Sequence, residues 1–309
     1  MNILITGGAG FIGSHIGDAL IMAGHQITVV DNLSTGSLQN VPKEAVFYEA
    51  DIRDIAQMET IFAQGKFDVV FHEAAQTMVP YSLEHPLEDA DLNIIGLIKV
   101  LDLCRTYHIK KFIFSSSAAV YGDNQQLPLQ ETEPVEPTSF YGLTKATAEA
   151  YIQMYHRLYR LPYVILRYAN VYGERQGSNG EGGVVYIFAN RLVHQQALTI
   201  FGDGTQTRDF IYVKDVAQAN VAALESAIRS GIYNVSTAKE TTIEEIKNQL
   251  VSFATYQPTI RYQAVRSGDI YRSVLDNRRT IKELKWKPQV DLRTGLQQTY
   301  AYFKMGEEP

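Results

Sequence analysis

The stretch Gly7-Gly8-Ala9-Gly10-Phe11-Ile12-Gly13 limits what this chain can fold into more than any other feature. It comes one residue, Thr6, after the apolar run Ile3-Leu4-Ile5 and leads into a segment of helical period, residues 11–23. Gly7 permits a tight turn, Gly10 lets the backbone approach a pyrophosphate, and Gly13 lets the helix pack closely. The helix N-terminus, with Phe11 and Ile12 in its first turn, favours anionic oxygens. Three glycines alone would also suit a plain strand-to-helix turn. Asp31 argues for more, because it ends the next apolar run, about 20 residues on, where a carboxylate accepts both hydroxyls of an adenosine ribose and repels a 2′-phosphate. NAD is therefore favoured over NADP.

The same alternation continues down the chain. Residues 3–5, 27–30, 69–71, 112–114 and 164–166 predict strands buried on both faces, and 11–23, 55–62, 92–107 and 141–159 predict helices. This is the pattern of an α/β, Rossmann-type doubly wound parallel sheet with its ligand at the carboxyl ends of the strands. After about Arg167, glycines bunch at Gly173, Gly177, Gly180, Gly182 and Gly183. Shorter elements follow: helices over 184–195, 213–227, 243–253 and 292–302, and strands at 211–212 and 233–235. The expected division is an NAD-binding domain over 1–168, completed by parts of 208–235, and a smaller mixed α/β substrate-binding region over 169–309. A chain of 309 residues accommodates two such units around a shared cleft.

Charge and cysteine content narrow the partners. Lys and Arg number 28 against 34 Asp and Glu, a net charge of −6 that opposes wrapping a polyanion, so no nucleic-acid partner is expected. The single cysteine, Cys104, closes no intramolecular disulfide, and the seven histidines show no metal-ligand spacing. A reducing compartment and a metal-free site follow. The first apolar run is too short for an export leader, and no window approaches the roughly 18 apolar residues of a membrane span. The expectation is a soluble, cytoplasmic protein with no membrane partner.

Tyr141 and Lys145 stand four residues apart, hence on one helix face. Tyr107 with Lys111 and Tyr300 with Lys304 share that spacing, and for those a solvated helix surface is explanation enough. Tyr141 differs because it follows Pro137-Thr138-Ser139 at a helix start, beyond a strand end bearing Ser115-Ser116-Ser117. The need is for a base that removes a sugar hydroxyl proton at neutral pH, whereas a free tyrosine has a pKa of about 10, so a cation has to favour the phenolate. Lys145 is that cation. Ser116 is expected to share a hydrogen bond with the same hydroxyl, which makes Tyr141, Lys145 and Ser116 the candidate catalytic set.

The strings Gly7 to Gly13, Asp31-Asn32, Asp51-Ile52, His72 to Ala75, Asn93, Ser115 to Gly122, Tyr141 with Lys145, and Arg167-Tyr168-Ala169-Asn170-Val171-Tyr172-Gly173 resemble the extended short-chain dehydrogenase/reductases. Within them the chain is similar, over nearly its whole length, to the bacterial UDP-glucose 4-epimerases. The resemblance implies that Asn32, Asp51 and Ile52 lie by the adenosine, that Ala74, Ala75, Gln76 and Asn93 border the dinucleotide, and that Tyr168 sits under the nicotinamide. It implies that Ser117, Asn170 and Val184 touch the substrate. Phe201 would neighbour the uracil, Arg208 and Arg266 would hold the diphosphate, and Asp269 would accept from the ribose. Guanidinium suits that diphosphate better than ammonium. Each has a bland alternative in close packing or a solvated surface.

The implied reaction is C4 epimerisation of a UDP-hexose through a transient 4-keto sugar, with NAD returned to its starting state. A 4,6-dehydratase would carry an Asp-Glu pair after the Ser/Thr position, where Ser117-Ala118 stand here. Enzymes of UDP-glucuronate commonly have threonine at the position of Asn170. Two further alternatives are an oxidoreductase that releases reduced cofactor and a non-enzymatic NAD-sensing protein. Ser273, seven residues past Arg266, borders the sugar's C2 substituent in the resembling enzymes, and its small size predicts room for an N-acetyl group. Glu174 replaces a proline frequent in relatives, with a local change of loop the expected effect. Apolar residues around the helices over 92–107 and 141–159, and the resemblance itself, imply a homodimer.

Overall fold

The structure, a computed structural model, describes residues 1–177, 182–265 and 270–306. Its strands in chain order are β1 (Asn2–Thr6), β2 (Gln26–Asp31), β3 (Val46–Glu49), β4 (Val69–His72), β5 (Lys111–Ser117), β6 (Tyr163–Tyr168), β7 (Asn170–Tyr172), β8 (Leu198–Phe201), β9 (Thr207–Arg208), β10 (Phe210–Tyr212), β11 (Ser230–Val235), β12 (Thr241–Thr242) and β13 (Ile260–Gln263). Seven of them form one parallel sheet in the order β3-β2-β1-β4-β5-β6-β11. The strand order reverses between β1 and β4, which opens a crevice at their carboxyl ends.

Helices cover both faces. One side carries α1 (Phe11–Met22), and the other α2 (Ile55–Gly65), the short α3 (Val79–Glu84) and α4 (Pro86–Ala90), a π-helical turn over Asp91–Gly96, α5 (Leu97–Thr106) and α6 (Phe140–Tyr159). Beyond β6 come α7 (Val184–Val193), α8 (Val213–Glu225), α9 (Ile243–Val251), α10 (Arg278–Leu284) and α11 (Leu292–Met305). Strand alternation sorts the core. Ile3, Ile5, Phe71, Ile113, Val164 and Leu166 face α1 and α8, whereas Leu4, Val70, Phe112, Phe114 and Ile165 face α2, α5 and α6. Each such fully buried side chain is worth about 1.5–3 kcal/mol, so uninterrupted apolar runs are stable only in these central strands. A third cluster, with Phe188, Leu192, Leu198, Phe210, Ile246 and Leu296, holds α7, α9 and α11 together.

The predicted sheet strands and long helices are found, and residues 230–235 do return to the main sheet. Three features differ. β3 is an edge strand whose four residues are all half-buried or exposed, so it lacks the apolar run that marks its neighbours. The helix expected over 92–107 begins as a π turn, with Gly96 pressed so close to Ile52 that an added Cβ would lie 2.6 Å from its side chain. The pairs β7–β10, β8–β13 and β9–β12 are too short to carry periodicity. Among the described residues no helix is long and apolar enough to cross a membrane.

Candidate active site

The glycine turn closes tightly over the crevice. Gly7 has φ +71°, and a Cβ on it would lie 2.5 Å from the Ala74 nitrogen, while one on Gly13 would lie 2.3 Å from the Gly7 carbonyl oxygen. Helix α1 starts at Gly10 with no side-chain cap, so its first-turn N–H groups, including those of Phe11 and Ile12, are left for an anion. The Phe11 ring itself belongs to the third core cluster. Asp31 is 8% exposed at the end of β2; it accepts from Ala9 N at 3.0 Å and Leu33 N at 2.8 Å, and burial raises its pKa. Gly7, Gly10, Asp31, Asn32, Asp51, Ile52, Ala74 and Ala75 line one cleft with Glu73 and Leu92. Asp51 shapes this wall through Arg53, whose guanidinium holds its carboxyl well below the usual range, and through Asn32, which donates to it at 3.0 Å. A tight turn, an uncapped helix start and a carboxylate at the end of β2 fit a dinucleotide.

Across the crevice, Ser139 caps α6 by accepting from Gly142 N, and the Tyr141 N–H donates to Ser82 Oγ at 3.1 Å. Tyr141, Lys145 and Glu149 follow one another at four-residue steps along the sheet-facing side of α6. Lys145 is 5% exposed, with Nζ donating to the Ser115 carbonyl at 2.8 Å and lying 5.9 Å from the Tyr141 ring. Burial pushes its pKa down to about 8, against the opposing fields of Glu73, Asp89 and Glu149.

Ser116 does not reach this cleft. It is 3% exposed and donates to Glu149 Oε1 at 2.6 Å, and Glu149 in turn takes Arg167 at 2.9 and 2.6 Å. Glu149 lies eight residues from Tyr141, about 12 Å along the helix at 1.5 Å per residue. The expectation for Ser116 is corrected by strand alternation: Ser115 and Ser117 point to the other face. Ser115 is buried between Glu73 and the Tyr168 hydroxyl. Ser117 ends β5 half-exposed, and its Oγ accepts from Ala119 N at 3.1 Å, starting a 3₁₀ turn.

Two other expected contacts sit one layer deeper. Asn93 is 4% exposed and uses its amide on Gln76, Asp89 and Thr144. Tyr168 is 5% exposed, with its hydroxyl between Ser115 and Asn220, and its ring in the core on the α8 side. Their side-chain polar groups are all paired within the protein. Gln76 joins the cleft wall through its backbone pairing with Asn93.

In the second region Asn170 is exposed at the start of β7 and donates its N–H to the Asp209 carbonyl at 2.9 Å. Phe201 ends β8 before a turn in which Gly202 and Gly204 adopt φ of +79° and +80°. Arg208 lies on β9 with Nη1 donating to the Thr207 carbonyl at 2.7 Å. Val184 opens α7, and Ser273 is half-exposed just after Arg272, which bridges to Thr207. Arg266 and Asp269 lie outside the described residues. Glu174 does more than alter a loop: it is 9% exposed, accepts from the Tyr212 hydroxyl at 2.7 Å and Lys214 at 2.8 Å, and pins β7 to α8. Ser82, Asp89 and Glu149 were not expected. Only Glu149 left a signal, its four-residue step beyond Lys145.

A doubly wound parallel sheet with a glycine turn after β1, an acid at the end of β2 and a tyrosine–lysine pair over the crevice defines a dinucleotide-dependent enzyme of the short-chain dehydrogenase/reductase class. The chain matches the NAD dependent epimerase/dehydratase family over residues 3–236 and belongs to it. It is 45% identical to the putative UDP-glucose 4-epimerase of Methanocaldococcus jannaschii, with 98% of each chain covered. Among solved structures it superposes on the UDP-glucose 4-epimerase of Thermotoga maritima, crystallised with UDP-glucose, with a TM-score of 0.96, 44% identity and all of both chains covered. It also superposes on the UDP-N-acetylglucosamine 4-epimerase of Methanobrevibacter ruminantium, with a TM-score of 0.93, 38% identity and 99% and 98% of the two chains covered.

Proposed function

We propose that this enzyme interconverts UDP-glucose and UDP-galactose by epimerisation at C4, with NAD held throughout. The observation that carries the proposal is the buried ammonium of Lys145 beside Tyr141, held on the end of β5, together with a strand-end cleft whose glycine turn and Asp31 fit a dinucleotide. Bound NAD supplies a hydride acceptor that gives the same hydride back. Tyr141 takes the C4 hydroxyl proton, and Lys145 favours the resulting phenolate. Ser117, rather than Ser116, donates to the sugar oxygen. Its Oγ already accepts from Ala119 N, and its O–H is the donor this reading requires.

Loss of the proton and hydride from C4 leaves a 4-keto sugar that must present its other face. Anchoring therefore belongs on the nucleotide: Arg208 and Arg266 hold the diphosphate, Phe201 packs on the uracil, Asp269 takes the ribose, and Asn170 and Val184 bound the hexose loosely. Asp31 accepts from the adenosine ribose, with Asn32, Asp51, Ile52, Ala74 and Ala75 around the adenosine. Small Ser273 leaves room for an N-acetyl group, so UDP-N-acetylglucosamine is a second substrate. Residues 1–168 with β11 act as the cofactor domain and the remainder as the sugar domain.

A second copy of the chain covers the outer face of α6. Phe140, Leu143, Tyr151, Met154 and Leu158 are all exposed and recur at helical spacing along it, and Leu87 and Ile95 are exposed as well, apolar surface that solvent disfavours. The dimer works in the cytoplasm. The test is proton NMR of purified protein with UDP-glucose, UDP-N-acetylglucosamine and UDP-glucuronate in turn, without added NAD. Appearance of the galacto-configured anomeric signal is expected for the first two. No conversion of any of them, even with NAD supplied, would exclude epimerisation.

A further inference from the structure

We propose that Asp89 is a positioning residue for this reaction: its carboxylate fastens the first turn of α6 to the loop after β4 and sets the electrostatic balance of the Tyr141–Lys145 pair. The inference rests on Tyr141 acting as proposed above.

Asp89 is 0% exposed. It accepts from three donors carried by three different segments: Gln76 Nε2 at 2.7 Å, Asn93 Nδ2 at 3.2 Å and Thr144 Oγ1 at 2.9 Å. Gln76 follows Ala74 and Ala75 on the cofactor wall, and Asn93 clasps its backbone from both sides at 2.8 and 3.0 Å. Thr144 precedes Lys145, and its hydroxyl also reaches the Tyr141 carbonyl at 3.0 Å. One buried side chain thus ties the cofactor wall to the turn that carries the proton acceptor.

Both oxygens of Asp89 are thus engaged by side chains from three segments. Among the described residues no Lys or Arg makes an ion pair with it, and burying an unpaired charge is costly. The nearby cation is Lys145. The titratable groups that face Lys145 are Glu73 from the loop after β4, His72 at the end of β4, Asp89 from α4, and Glu149 and Tyr141 from α6 itself. Glu73, Asp89 and Glu149 favour its charged form while burial opposes it. Loss of one negative charge there moves every proton equilibrium in the cluster to lower pH.

The experiment compares Asp89→Asn, Thr144→Val and Tyr141→Phe with the unaltered holoenzyme, measuring kcat and KM for UDP-glucose across pH, with bound NAD and circular dichroism as checks on folding. Asp89→Asn should lower kcat by about 10- to 100-fold, the scale of a displacement of about 1 Å at a reacting group, leave KM unchanged, and shift both limbs of the kcat profile to lower pH. Thr144→Val cuts the tie but keeps the charge, so kcat should fall with the profile in place. A uniform loss at every pH in Asp89→Asn would reduce Asp89 to a structural residue and overturn the proposal. Wild-type kcat in Thr144→Val overturns it too, even if Asp89→Asn fails to fold. Full activity in Tyr141→Phe would instead refute the reading beneath it.

Discussion

Replacing Ser116 and Ser117 separately by alanine distinguishes a core hydroxyl from a catalytic one. Ser116 donates a 2.6 Å bond to Glu149, whose other oxygen contacts are both with Arg167. A hydrogen bond to a charged group is worth about 1.5–3 kcal/mol, and its loss leaves a buried carboxylate with one donor fewer. At roughly 2.1 cal/mol/K of unfolding entropy per residue over 309 residues, that lowers Tm by about 2–5 °C. The Arg167 clamp holds the backbone, so kcat in Ser116→Ala should stay near wild type. Ser117→Ala removes a donor at the developing charge, which costs about 10²–10³ in kcat, with Tm nearly unchanged because the hydroxyl is half-exposed. Thermal melts and NMR-monitored turnover of both variants give the answer. A large loss of kcat in Ser116→Ala at an unchanged Tm would refute the assignment of its hydroxyl to Glu149.

Ser273→Tyr should lower activity on UDP-N-acetylglucosamine relative to UDP-glucose; an unchanged ratio in competition assays would show that Ser273 does not border the C2 substituent. His15 and His72, pushed down by burial to about 4 and about 3, stay neutral in the folded protein while the unfolded chain takes up protons below about 6.5. The folded state therefore loses stability as pH falls through that value, by about 1.4 kcal/mol per pH unit for each histidine. Asp209, raised to about 6 by burial, works in the opposite sense below that pH. Urea unfolding at about pH 7 and about pH 5 should differ by roughly 2–3 kcal/mol, and His72→Gln should flatten the slope. Equal stability at the two pH values would contradict the buried neutral histidines. Charging the outer face of α6 with Met154→Glu and Leu158→Glu should convert the proposed dimer to monomers, measured by light scattering; a monomeric unaltered protein or an unchanged dimer mass would refute an interface at α6.

The parts of this molecule legible in the sequence are those in which one physical demand dictates residue type. Central strands must be apolar on both faces, so residues 112–114 and 164–166 announce themselves, and Gly7 and Gly13 stand where a Cβ would strike backbone. Tyr141 and Lys145 are legible because a helix brings four-residue neighbours together. β3 is not, because an edge strand with half-exposed residues meets no such demand. Asn93 and Tyr168, expected beside the cofactor, spend their side-chain polar groups on Gln76, Asp89 and Thr144 and on Ser115 and Asn220, pairings that sequence spacing does not contain. Nor can three consecutive serines declare which hydroxyl faces the site, since a shift of one residue reverses the face.

Buried acids were the hardest to find, yet they explain how the site holds its charge. At an effective dielectric near 20, a cation about 6 Å from a phenolate stabilises it by about 3 kcal/mol, roughly four times its effect in bulk water. Lys145 therefore gains influence over Tyr141 by leaving solvent. The same burial pushes its own pKa down to about 8, so at neutral pH the ammonium is retained by a modest margin. Glu73, Asp89 and Glu149 supply that margin from three directions. None of the three needs to touch the sugar for its loss to matter, and their effects should not be additive, because each acts on the same proton. The double variant Asp89→Asn with Glu149→Gln should move the activity profile to lower pH by more than either single change, and Lys145 should then discharge near neutrality. A profile that is the same in the double variant as in Asp89→Asn alone would show that Glu149 serves Arg167 and Ser116 only.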